Sequence, residues 1–108
     1  MVRPITVSKT GAGSSNPVPM NLFATPFNVG IGVTVSGTVN YTVQHTFDNV
    51  FASDYNASTG TWFNHSSLAS KAANEDGNYA FPVTAIRVTV NSGAGTASMT
   101  IVQAGVSQ

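Results

Sequence analysis

From Val29 to Phe47 the chain alternates apolar and polar residues almost without a break. The odd positions read Val29, Ile31, Val33, Val35, Val39, Tyr41, Val43, His45 and Phe47. From Thr34 onward the even ones are Thr34, Ser36, Thr38, Asn40, Thr42, Gln44 and Thr46. Successive side chains of a strand point to opposite faces, so alternation of this length means strands with one buried and one wet face. Ser36-Gly37 interrupts the run where it should fold back, and Gly supplies the positive φ of a tight turn, so a β-hairpin is expected. Gly30 and Gly32 weaken the first strand and point to a bulge or a close backbone approach. Ile86, Val88 and Val90, then the turn 91–95, then Ala97, Met99 and Ile101 predict a second hairpin. A shorter strand over residues 2–8 carries Ile5 and Val7, and Pro4 inside it suggests a sheet edge or an entry point, since proline donates nothing to a ladder.

The residue inventory agrees with strands. There are 14 Val and 13 Thr but 2 Leu, 1 Glu and 2 Lys, so good helix formers are scarce and β-formers abundant. The expected fold is all-β, an antiparallel β-sandwich of jelly-roll type. A length of 108 residues suits one domain, 1–108. Its first 19 residues would be a strand followed by a flexible Gly/Ser/Pro arm. Asp48 to Asn78 breaks the alternation and is expected to be a long, aromatic-containing central loop, with one or two helical turns over Ser67–Ala73. Phe51, Tyr55, Trp62, Phe63 and His65 fall in it and are the candidate interface residues, because aromatic side chains outside the alternating strands make good anchors. The alternative for Trp62 and Phe63 is that they plug the open end of the sandwich.

Charged residues are only 7% of the chain and the formal net charge is zero. Four Lys and Arg cannot build the basic stripe that a phosphate backbone needs, so nucleic acid is not an expected partner. Without cysteine there is no disulfide framework, thiol nucleophile or cysteine-ligated zinc. No stretch has the ~18 apolar residues of a membrane span, and the first residues lack the apolar core of a signal peptide. The chain thus reads as a soluble protein made in the cytoplasm. His45, Asp48, Asp54 and His65 are the side chains able to build a metal or acid–base site, and their spacing matches no helical ligand pair. His45 reads as a hydrogen-bonded core residue and His65 as a packing or capping one. No Gly-x-Ser-x-Gly elbow or phosphate-cradling loop is present, so no enzyme, metal or cofactor is expected.

Three stretches, Val39–Asp48, Thr61–His65 and Phe81–Val88, with the ending Gly95–Ala104, resemble a pattern in small virion proteins of tailed bacteriophages. Among these the chain is most similar to capsid decoration, or cement, proteins with a jelly-roll-like sandwich. The resemblance implies a structural protein on the outer capsid surface, made in the host cytoplasm, that clamps major capsid protein subunits. It implies a homo-oligomer, dimer or trimer, on the shell and transfers no catalytic residue. A tail, adaptor or receptor-binding component of the same particle is the alternative. A neutral Ser/Thr/Asn surface would let many copies crowd on a lattice without mutual repulsion.

Overall fold

The computed structural model describes residues 4–20, 25–50, 56 and 59–106. Its strands are β1 (Ile5–Thr10), β2 (Gly13–Ser14), β3 (Val18–Pro19), β4 (Thr25–Ser36), β5 (Asn40–Thr46), β6 (Phe63–Asn64), β7 (Glu75–Tyr79), β8 (Ala85–Ser92) and β9 (Thr96–Val106). They form two antiparallel sheets, one in the order β1-β9-β4-β7 and the other β2-β8-β5-β6, with β3 also on β8. Taking β2 and β3 as one interrupted strand, the pairs nest: first with last, second with next to last, and so inward to β5 with β6. That nesting of two Greek keys is the jelly-roll topology. The expected all-β antiparallel sandwich is what the chain forms.

Apolar positions of the alternating stretches meet between the sheets. Val29, Ile31, Val33, Ala97, Met99 and Ile101 come from one sheet, and Tyr41, Val43, Ile86, Val88 and Val90 from the other; all are buried. The outer face of the first sheet carries the small polar residues. There the hydroxyls of Thr6 and Thr100, Ser8 and Ser98, and Thr10 and Thr96 bond across strands at 3.0, 2.9 and 2.7 Å. These residues face solvent and satisfy one another, which explains how a surface so poor in charge stays polar.

Both expected hairpins are corrected. β4 and β5 lie in different sheets, as do β8 and β9, so each tight turn carries the chain across the core instead of back beside itself. Alternation specifies which face is buried, and two strands facing each other across a core show the same alternation as two lying side by side. The turns at Gly37 and Gly93 do have positive φ, 79° and 98°. The corners 36–39 and 93–95 also pack on each other, with the Gly95 N–H donating to the Thr38 carbonyl at 2.8 Å. A Cβ on Gly95 would sit 2.4 Å from the Ser36 carbonyl oxygen, so a glycine is needed there.

Other expectations also change. The bulge in β4 lies between Thr25 and Asn28, while Gly30 and Gly32 keep register with both neighbours. Residues 11–20 are no free arm: β2 and β3 pair with β8, Val18 and Met20 are buried, and the Ser15 backbone and hydroxyl both bond to Val88. Short polar and proline-rich strands carry no alternation, which is why they read as a linker. The central loop contains β6 and β7, and residues 67–73 form turns rather than helix. That stretch runs along the open edge of β5: Tyr41 and Lys71 exchange backbone bonds at 2.8 and 2.9 Å, and Leu68 inserts into the core. Backbone bonds to β5 outweigh the weak helical preference of Ser67–Ala73. Thr42, nominally on the solvent face, is covered by it; its hydroxyl accepts from the Ser70 N–H at 3.0 Å and from the Asn91 amide at 2.9 Å. β1 lies at a sheet edge directly after Pro4, as its proline suggested.

Candidate interaction surface

At the end of the sandwich away from the glycine corners, β5, β6 and β7 each deliver a phenylalanine. Phe47 follows the last residue of β5, Phe63 opens β6, and Phe81 lies two residues past β7. Their exposures are 54, 49 and 48%, high for side chains of this size. His45 sits beneath all three, its ring centroid 5.4 Å from Phe47, 5.9 Å from Phe63 and 5.6 Å from Phe81. Phe47 lies 5.8 Å from Phe63 and 6.3 Å from Phe81, so the rings form one patch. A contiguous apolar patch on a small polar domain is a feature that marks interaction surfaces.

The patch rests on a buried polar stack. The Tyr79 ring lies between two imidazoles, edge-on to His45 at 4.8 Å and to His65 at 4.7 Å. His45 Nδ1 and the Tyr79 hydroxyl are hydrogen-bonded at 2.7 Å. His65 Nε2 donates to the Asn78 carbonyl at 2.8 Å, while its Nδ1 accepts from the Ser67 N–H at 3.1 Å. Both nitrogens of His65 are therefore satisfied by a neutral ring with its proton on Nε2. Burial, with a smaller contribution from nearby His65, pushes the His45 imidazole below its ordinary pKa. Burial likewise raises the Tyr79 phenol. This environment holds His45 neutral.

Of the five candidate interface residues, Phe63 lies in the patch. Trp62 is half-buried on the outer face of the second sheet, where the Arg87 guanidinium stacks 4.1 Å from its ring centroid. It therefore does not plug the end of the sandwich, nor does half-exposed Phe63. Arg87 Nε also donates to Gln44, whose amide donates to Asn64, tying Trp62 to a polar network across β8, β5 and β6. His65 is buried and is withdrawn as a contact residue: its role is the Asn78 and Ser67 bonding just described. Phe51 and Tyr55 lie outside the described residues. Phe47 and Phe81 were missed. Phe47 looked like one more buried position at the end of the alternation, and nothing local marks Phe81 as its neighbour. Among the described residues, no group of three or more His, Asp or Glu is placed to hold a metal ion.

No protein-family model matches the chain, and no curated protein sequence does. Among solved structures, the chain is similar to one described as "Bacillus endospore appendages form a novel family of disulfide-linked pili". The likeness covers 98% of this chain and 88% of that one, at 14% identity and a TM-score of 0.54. At that identity it speaks to the fold alone.

Proposed function

We propose that this chain is a non-enzymatic structural protein of a bacteriophage particle, decorating the outside of the capsid and binding major capsid protein subunits. The observation that carries the reading is the phenylalanine patch of Phe47, Phe63 and Phe81 at one end of a rigid, nearly uncharged sandwich. A cement protein needs a stiff body, an anchoring surface and flanks that tolerate crowding. The neutral hydroxyl face supplies the last of these, and the patch supplies an anchor of the aromatic kind that dominates interface energetics. The phage assignment itself comes from the sequence resemblance. The pilus-forming neighbour adds that a sandwich of this fold serves in a protein assembly.

Two measurements test the reading. Particles purified from cultures carrying this reading frame should contain the chain in hundreds of copies, by quantitative mass spectrometry. A dozen or fewer copies would transfer it to the tail, and absence from particles would overturn the virion role. Phe47→Ser, Phe63→Ser and Phe81→Ser should each leave the melting temperature within a few degrees, because half-exposed rings contribute little to the core. Combined, they should abolish co-sedimentation with undecorated capsids. Undiminished binding by the folded triple variant would remove the patch from the interface.

A further inference from the structure

Beyond the capsid role, we infer that the free edge of β1 pairs with β1 of a second copy, antiparallel about a two-fold axis at Val7. The pairing joins the four-stranded first sheets of the two copies into one.

Among the described residues β1 is the open edge of the molecule. β2, β3 and β6 are two residues long, and short edges resist strand addition. Pro19 also turns its missing N–H to the outer side of β3, since Val18 and Met20 on either side of it bond toward β8 and its flank. The edge of β7 is covered from within the chain. His65 bonds to the Asn78 carbonyl, and His65 and Leu68 lie 3.2 and 2.9 Å from where a Cβ on Gly77 would stand. β1 has six residues, laddered on β9 along one side and bare along the other.

The bare side carries a defined set of polar groups. The Gly11 N–H donates to the Gly95 carbonyl at 3.1 Å, one step past the Thr10↔Thr96 pair. In an antiparallel ladder, residues alternate between bonding to one neighbour and to the other. Odd residues of β1 therefore bond to β9, and Thr6, Ser8 and Thr10 direct N–H and C=O to the free side. Their side chains stand exposed on the outer face, where the hydroxyls meet Thr100, Ser98 and Thr96. β9 thus presents Thr, Ser and Thr to the bonded side of β1, and a second β1 carries the same three residue types to the free side. The fold already uses this pattern as the neighbour of β1, which makes a second copy the fitting partner.

An axis at Val7 pairs the whole run from Pro4 to Thr10. Thr6 and Ser8 exchange backbone bonds with Ser8 and Thr6 of the second copy, and the Thr10 N–H meets its Pro4 carbonyl. The missing proline N–H falls at the very end of the ladder, where water serves the Thr10 carbonyl instead. On the inner side Val7 meets Val7, and Ile5, 48% exposed in the single chain, lies along the methylene stem of Lys9. Lys9 itself is held back over its own β2: a Cβ on Gly13 would stand 2.9 Å from its Cε. An axis at Ser8 would set Val7 against Lys9 and bring the two lysines diagonal to each other. One at Thr6 would leave Lys9 and Thr10 beyond the second copy's Pro4. An isologous contact closes as a dimer instead of growing. β1 and β7 are opposite edges of the sheet, so the phenylalanine patch beside β5, β6 and β7 stays clear in both copies.

The chain has no cysteine, so single cysteines report the register. Val7→Cys should give a disulfide-linked dimer under mild oxidation, because residues of a non-bonded pair stand about 4.5 Å apart at Cα, within disulfide reach. Thr6→Cys and Ser8→Cys should cross-link far more slowly; faster linkage through either would overturn the register. By sedimentation velocity the wild type should form a reversible, concentration-dependent dimer and nothing larger. Ser8→Pro removes an N–H that β9 does not use, and Val7→Lys sets two ammonium groups face to face. Each should sediment as a folded monomer with unchanged circular dichroism. A wild type monomeric up to its solubility limit, growth beyond the dimer, or undiminished association of either folded variant would overturn the inference. The capsid reading fails separately: a dimer absent from particles keeps this contact and removes the decoration role, whereas a monomer that coats capsids does the opposite.

Discussion

Burial of His45 beneath Phe47, Phe63 and Phe81 makes the aromatic end sensitive to acid. In the unfolded chain its imidazole titrates near the ordinary value of about 6.5; in the fold its pKa is lowered, chiefly by desolvation. Between those two values the unfolded state binds more protons, so stability rises with pH there and is lost as pH falls below about 6.5. The loss levels off once pH passes the lower folded value. The melting temperature should therefore drop from pH 7.5 to pH 5, and the drop should shrink in His45→Gln; an equal drop in both would assign the acid sensitivity elsewhere. Tyr41 acts at the opposite extreme. Burial, with Glu75 adding to it, raises its pKa to about 12, and its hydroxyl donates to the Ala73 carbonyl. Its contribution is whole below about pH 10 and fades as pH rises through 12. His45 was readable as a core histidine because its place in the alternation put it on the apolar face. That Tyr79 would bond it, from 34 residues away, was not.

Strands were the most readable elements and their partners the least. Val29–Phe47 and Ile86–Ile101 announced which side chains would be buried, and Val33, Val43, Ile86, Val88 and Ile101 all are. A period of two is blind to whether the next strand lies beside or opposite, and here both tight turns cross the core. β7 was invisible for a different reason: in Glu75-Asp76-Gly77-Asn78-Tyr79 only Tyr79 is buried, so no alternation exists to find. The two kinds of glycine in these elements separate cleanly. Gly95→Ala would drive a methyl into the Ser36 and Thr38 carbonyls at 2.4 and 2.8 Å, and should cost several degrees of melting temperature or prevent folding. Gly32→Ala meets nothing within 4 Å on an extended strand and should be neutral or stabilising by up to ~1 kcal/mol, since glycine in a strand interior carries an entropic penalty. Comparable losses at both sites in calorimetry would mean that the corners are looser than their contacts imply.

At the scale of the molecule, the scarcity of charge foretold a neutral polar surface such as the hydroxyl-rich outer face of the first sheet, and β composition foretold the sandwich. The patch was only partly foreseen: Phe63 stood out by lying in an aromatic stretch, whereas Phe47 and Phe81 become its neighbours only when the end of the sandwich is assembled. The nested pairing has one more consequence, and it concerns time. β9 lies between β1 and β4 and comes after both in the chain, so the first sheet cannot exist until synthesis reaches it. Nearly every ladder joins distant parts of the chain, and such topologies fold in roughly milliseconds to seconds rather than microseconds. Stopped-flow refolding should fall in that slow range, and a chain ending at Ser92 should show no cooperative melt; a folded truncation would mean that the second sheet stands alone. During that interval Val- and Thr-rich strands wait unpaired in a crowded cell, with little charge to keep them apart. The yield of folded protein thus depends on how soon β9 follows the strands it must join.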